Sequence, residues 1–174
     1  RARRDVLTTH PRDDVTAPNL ASVMVLLDEG ETKVLLTGDG HWEDILEGLA
    51  HHKKLDAKGN LHVDVVKIQH HGSEHNHKVD MAEHVTADNY VFCGNGKHDN
   101  PDARVVKLVC ESHRKVRPMD KFTLWFNCAP DLAPAGKPRA CMQKVKREVD
   151  DQIAASGGKI NARYLGKSFF DVTV

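Results

Sequence analysis

Val63-Asp64-Val65-Val66-Lys67-Ile68-Gln69-His70-His71-Gly72-Ser73 is the stretch on which the fold turns. An apolar run of strand length, rich in β-branched residues, ends abruptly in two imidazoles, a glycine and a serine. A second run has the same design: Val34-Leu35-Leu36-Thr37-Gly38-Asp39. Two strands that each deliver a metal-ligating side chain at the carboxyl end predict a site at one edge of a sheet. Imidazole and carboxylate are the usual donors where zinc or a similar ion activates water.

Reading outward, Ser22–Asp28 and Lys33–Thr37 form two strands around the turn Glu29-Gly30-Glu31-Thr32 and predict an antiparallel hairpin. Trp42, Ile45, Leu46 and Leu49 fall at i, i+3, i+4 and i+7, the stripe of an amphipathic helix over 41–50. Leu61–Ile68 is a strand, Val79–Val85 a short helix and Asn89–Cys93 a strand. A helix starts at Pro101-Asp102, Phe122–Phe126 is a strand, and 129–138 is a loop. Cys141–Ala154 is a charged helix stopped at Gly157-Gly158. Ile160–Tyr164 and Phe169–Val174 flank Gly166 as a closing hairpin. Strands alternating with helices imply an α/β (α+β) domain, a mixed sheet with helices on one face. The other face of so apolar a sheet must also be covered. Residues 1–18, polar and proline-containing, read as a flexible segment before a domain spanning 19–174.

The bulk numbers narrow the function classes. The chain has 174 residues, 40% hydrophobic and 29% charged, enough for one core. Lys+Arg and Asp+Glu both number 25. This balance gives no broad electrostatic footprint for nucleic acid or an anionic membrane. Cys93, Cys110, Cys128 and Cys141 form no CxxC pair, so a zinc knuckle is not expected; they read as reduced thiols of a cytoplasmic protein. No apolar run approaches a membrane span.

Each candidate residue has a plainer alternative. Asp39 is a metal ligand, or the turn and cap residue of the following helix. His70 and His71 point to opposite faces if the strand continues, so one ligates while the other orients or moves a proton. Gly72 permits the turn. Ser73 caps the next helix or supports a ligand from behind. His98, beyond another strand, is a candidate proton-transfer residue. His75, His77, His51-His52 and His113 read as solvated, and His41 as a helix start.

These phrases resemble the metallo-β-lactamase fold hydrolases, specifically the branch containing the nuclease-like domain of bacterial DNA-uptake proteins. The matching segments are Asn19-Leu20-Ala21-Ser22-Val23, Leu35-Leu36-Thr37-Gly38-Asp39 and Val65-Val66-Lys67-Ile68-Gln69-His70-His71-Gly72-Ser73. Cys93-Gly94-Asn95-Gly96, Asn100-Pro101-Asp102 and the 158–174 segment extend the match. The resemblance implies that Asp39 is a carboxylate shared between two zinc or manganese ions and that His71 is a terminal ligand. In such a mechanism His70 or His98 is expected to protonate the leaving group, since imidazole titrates near neutrality, and Ser73 to support the shell. The implied reaction is attack of activated water on a phosphodiester or related ester, with a nucleotide or nucleic acid as substrate. The family's HxHxDH cluster is missing, and Asn100-Pro101 stands where relatives carry His-Pro. The chain, which does not open on Met, is therefore expected to be the second half of a four-layer αββα sandwich. Its partner would be the first half of the domain, an equivalent chain or another copy on the exposed sheet face. The alternative is a non-catalytic interaction module that kept the fold and lost the site.

Overall fold

The computed structural model describes residues 21–166 together with 169, 171, 172 and 174. Residues 1–18, with their expected flexibility, lie outside the described residues. Six strands and four helices make up the described chain. They are β1 (Val25–Glu29), β2 (Thr32–Leu36), α1 (Trp42–His51), β3 (Leu61–Lys67), α2 (Val79–His84), β4 (Val85–Phe92), α3 (Ala103–Val116), β5 (Phe122–Phe126), α4 (Lys137–Ala154) and β6 (Ile160–Tyr164). Short 3-10 turns follow β3 at Gln69–Gly72 and Glu74–Asn76, and one follows β4 at Lys97–Asp99.

The strands lie in one sheet in chain order, β1 to β6. β1 and β2 form the expected antiparallel hairpin, with Leu26 opposite Leu35. Every later neighbour is parallel. Each parallel step passes through a helix, and all steps run in one direction. Right-handed crossovers then set all four helices on one face. That face holds the core: Leu35, Val66, Tyr90 and Leu124 lie in register across four strands and pack with Trp42, Ile45, Val106, Val109, Val145 and Val149. Each such aliphatic side chain withdrawn from water contributes about 1.5–3 kcal/mol. Phe92, Phe126 and Tyr164 stack in sequence, with centroids 5.0 and 4.9 Å apart.

The opposite face is a row set by the register Leu36, Lys67, Val91, Trp125, Arg163, with Val25 and Leu27 beside it on β1. Leu27 is 54% exposed and Leu36 42%.

The central strands carry an irregularity. Positions that join the main core step by three, from Val63 to Val66 and from Ala87 to Tyr90, and the pairing omits Asp64 and Asp88. Asp64 is used there: its carboxylate accepts from Lys33 N–H at 2.7 Å and its carbonyl from Asn89 Nδ2 at 3.0 Å.

Four boundaries differ from expectation, the first being β1, which begins at Val25 and not Ser22. β4 begins at Val85, not Asn89, because Val85 and Thr86 pair with Leu61 and His62. α4 begins at Lys137, not Cys141; Pro138 sits in its first turn, where no N–H is required. Phe169, Asp171, Val172 and Val174 carry no strand, and the rest of the expected second arm lies outside the described residues. All four cysteines are free thiols. No helix among the described residues is long and apolar enough to cross a membrane.

Candidate functional site

Because β2, β3 and β4 are parallel neighbours, their carboxyl ends share one edge of the sheet. Ligands of open α/β sheets bind at such an edge. It gathers Gly38-Asp39 after β2, His70-His71 after β3 and Cys93 after β4.

The Asp39 turn is tightly held. Gly38 has φ +54°, and a Cβ there would lie 2.9 Å from the Val23 carbonyl, so only glycine fits. Ser22 Oγ accepts from Asp39 N–H at 3.1 Å. Thr37 Oγ1 donates to the Lys67 carbonyl at 2.6 Å, tying the ends of β2 and β3. Asp39 does not cap α1; His41, 4% exposed, occupies the cap position.

His70 and His71 have φ of 43° and 57°. Two successive left-handed residues that are not glycine cost of order 1 kcal/mol each and persist only where neighbours enforce them. The strand has already ended at Lys67, so its alternation no longer separates the two rings. His70 N–H donates to the Gly38 carbonyl at 3.1 Å, and Asp102 N–H to the Gly72 carbonyl at 2.9 Å. Gly72 (φ +83°) abuts Pro101, where a Cβ would meet the proline Cβ at 2.9 Å.

His71 and Asp39 converge. His71 Nε2 lies 3.8 Å from Asp39 Oδ1. This is too long for a hydrogen bond. It is close to the ~3.4 Å that separates two donors on one tetrahedral zinc with bonds near 2.1 Å. His71 Nδ1 is 2.7 Å from the Cys93 carbonyl, which can only accept. The ring proton of neutral His71 therefore sits on Nδ1, and the Nε2 lone pair faces the carboxylate.

No family model matches this chain, and neither a curated protein nor a solved structure does. Among the described residues, no group of three or more His, Cys, Asp or Glu is placed to hold a metal ion. Asp39 and His71 are two donors, where a tight zinc site has three or four. A third group faces the same carboxylate from within the sheet. Lys67 Nζ is 3.7 Å from Asp39 Oδ1 and donates to the Gly38 carbonyl at 2.6 Å. Burial lowers the pKa of this amine, opposed by the charge of Asp39.

The remaining candidates are placed as follows. His70 bonds through Nδ1 to Asn76 Oδ1 at 2.5 Å, beside the Asp39–His71 pair. Ser73 is buried, but its hydroxyl caps nothing; its carbonyl accepts from His77 Nδ1 at 2.8 Å. It supports the turn through its backbone, not through the expected side chain. His98 is exposed on the turn Lys97–Asp99. No hydrogen bond, ion pair or ring contact among the described residues joins it to Asp39, His70 or His71.

Two expectations of solvated histidines are corrected. His77 is 7% exposed and His113 is fully buried, and burial pushes each down to about 4. The sequence reading missed Lys67 and Asn76. Lys67 carried a signal, a lone cation inside an apolar strand; Asn76, in a histidine-rich loop, carried none.

Proposed function

We propose that this edge holds a divalent cation, zinc or manganese, and that the protein is a metal-dependent hydrolase of the metallo-β-lactamase fold. The observation that carries this reading is the 3.8 Å approach of His71 Nε2 to Asp39 Oδ1, with the His71 ring oriented by the Cys93 carbonyl. When bound, the ion supplies Lewis acidity and lowers the pKa of water toward ~7. Asp39 and His71 position that charge, and Asp39 also orients the attacking water. His70, one residue away, gives the leaving oxygen a proton from Nε2 of its imidazolium form and regains one from the attacking water. His98 has no contact that supports this role. A phosphodiester of a nucleotide or nucleic acid is the substrate favoured by the resemblance. The remaining donors, and a second ion, come with a complementary half-domain that packs on the open row of Val25, Leu27, Leu36, Val91 and Trp125. The four free thiols support a reducing, cytoplasmic setting.

A second reading has its own observation. The Lys67 ammonium already faces Asp39 at 3.7 Å, a cation in place without a metal. This favours an interaction module that kept the edge and lost the chemistry. Zinc and manganese titration of the full-length protein, with turnover of bis(p-nitrophenyl) phosphate, separates the two. The hydrolase takes up metal and turns over, and Asp39→Ala loses both. The module does neither, and unchanged turnover in Asp39→Ala removes that carboxylate from the mechanism.

A further inference from the structure

We propose that Asn76 is the positioning residue of this edge, a single amide that joins the Asp39 turn to His70 and fixes which nitrogen of His70 carries the proton. Asn76 is 1% exposed, on the 3-10 turn after Ser73. Its Nδ2 donates to the carbonyls of Asp39 at 3.1 Å and Gly40 at 3.3 Å. Both are backbone acceptors with no proton to give, so the amide has one orientation and both its hydrogens are used. Oδ1 is left facing His70 Nδ1 at 2.5 Å, where it can only accept. His70 therefore donates from Nδ1, and in the neutral ring the lone pair lies on Nε2. His71 is held in the same tautomer by the Cys93 carbonyl. Two adjacent rings share one tautomer from two unrelated acceptors. This is the arrangement by which outer partners aim imidazole Nε2 at a ligand. Gln69 steadies the hub from beneath, its Nε2 donating to the Asn76 carbonyl at 3.1 Å.

The importance of Asn76 for catalysis rests on the hydrolase reading; the tautomer itself does not. Ring 15N shifts of histidine-labelled, metal-free protein at alkaline pH, where imidazole is neutral, give the direct test. The expected spectrum has a protonated, pyrrole-like Nδ1 and a pyridine-like Nε2 for His70. A His70 ring protonated on Nε2 in the wild-type protein overturns the proposal, and no variant need fold for that result. Asn76→Asp keeps the acceptor and loses both donors. It is expected to retain the Nδ1–H ring while the Gly40 amide, which closes the same turn on the Thr37 carbonyl at 3.0 Å, exchanges roughly tenfold faster. Asn76→Ala is expected to lose both signatures, and a folded Asn76→Ala that keeps both also overturns the proposal. A wild-type ring of the expected tautomer in a protein that takes up neither Zn2+ nor Mn2+ upholds Asn76 and sinks the hydrolase.

Discussion

His71 and His113 are the same side chain put to opposite uses. His71 stands half-exposed at the sheet edge, its proton on Nδ1 and its Nε2 lone pair toward Asp39. His113, on the core-facing side of α3, is tilted against Phe122 with centroids 4.1 Å apart. The Ala87 amide donates to Tyr90 Oη at 2.9 Å, which leaves the tyrosine proton for His113 Nδ1, also at 2.9 Å. His113 thus carries its own proton on Nε2, a buried atom with no hydrogen-bond partner among the described residues. One histidine presents a lone pair to a carboxylate; the other is packed as an aromatic and kept neutral. Burial and the acceptor on Nδ1 decide between them, not the count of histidines in the chain.

The largest expected effect tests the edge. On the hydrolase proposal, Asp39→Ala lowers phosphodiester turnover by at least roughly a hundredfold, since losing even an outer-shell partner costs 10–100-fold. Unfolding by urea should scarcely change, because Asp39 is partly exposed. A stability loss as large as a core truncation would make Asp39 a structural residue instead.

Acid tests the core. Folded His77 and His113 each take up a proton only near about 4, against an ordinary value of 6.5. The unfolded chain binds those protons earlier, so stability is complete above about 6.5 and falls as pH drops through that window toward 4. The loss is up to about 3 kcal/mol for each histidine, read from urea midpoints against pH. His113→Phe should flatten part of the slope, and an unchanged slope removes His113 from it. At neutral pH, His113→Ala costs about 2–3 kcal/mol through the cavity and the lost ring contact with Phe122.

The smallest effect has the opposite sign. His71→Gly relieves a left-handed residue at φ 57° and should raise stability by about 1 kcal/mol while removing metal uptake. A destabilised His71→Gly would mean that the ring itself holds the turn.

What could be read in the sequence was whatever depends on period and punctuation. The apolar, β-branched run over 61–68, the helical stripe from Trp42 to Leu49 and the glycines flanking Asp39 each carry a local physical cause, and those elements stand where expected. The approach of Asp39 to His71 was legible because parallel neighbours must end together. Asn76 was not, because its two acceptors are backbone carbonyls 36 and 37 positions earlier, and no side-chain pattern marks a carbonyl. His77 and His113 misled because polarity is a poor guide to burial when a ring can stack or bond a carbonyl. The early start of β4 reflects pairing with Leu61 and His62, a cross-strand contact that overrides local propensity.

The hydrogen bond from Asp102 to Gly72 has a mechanical outcome. Asp102 is also the cap of α3, its carboxylate accepting from Arg104 N–H at 2.8 Å. The histidine turn and that helix are thus coupled without slack between them. A change that tilts α3, even at its far end near His113, will be delivered to the imidazoles at the edge as a displacement.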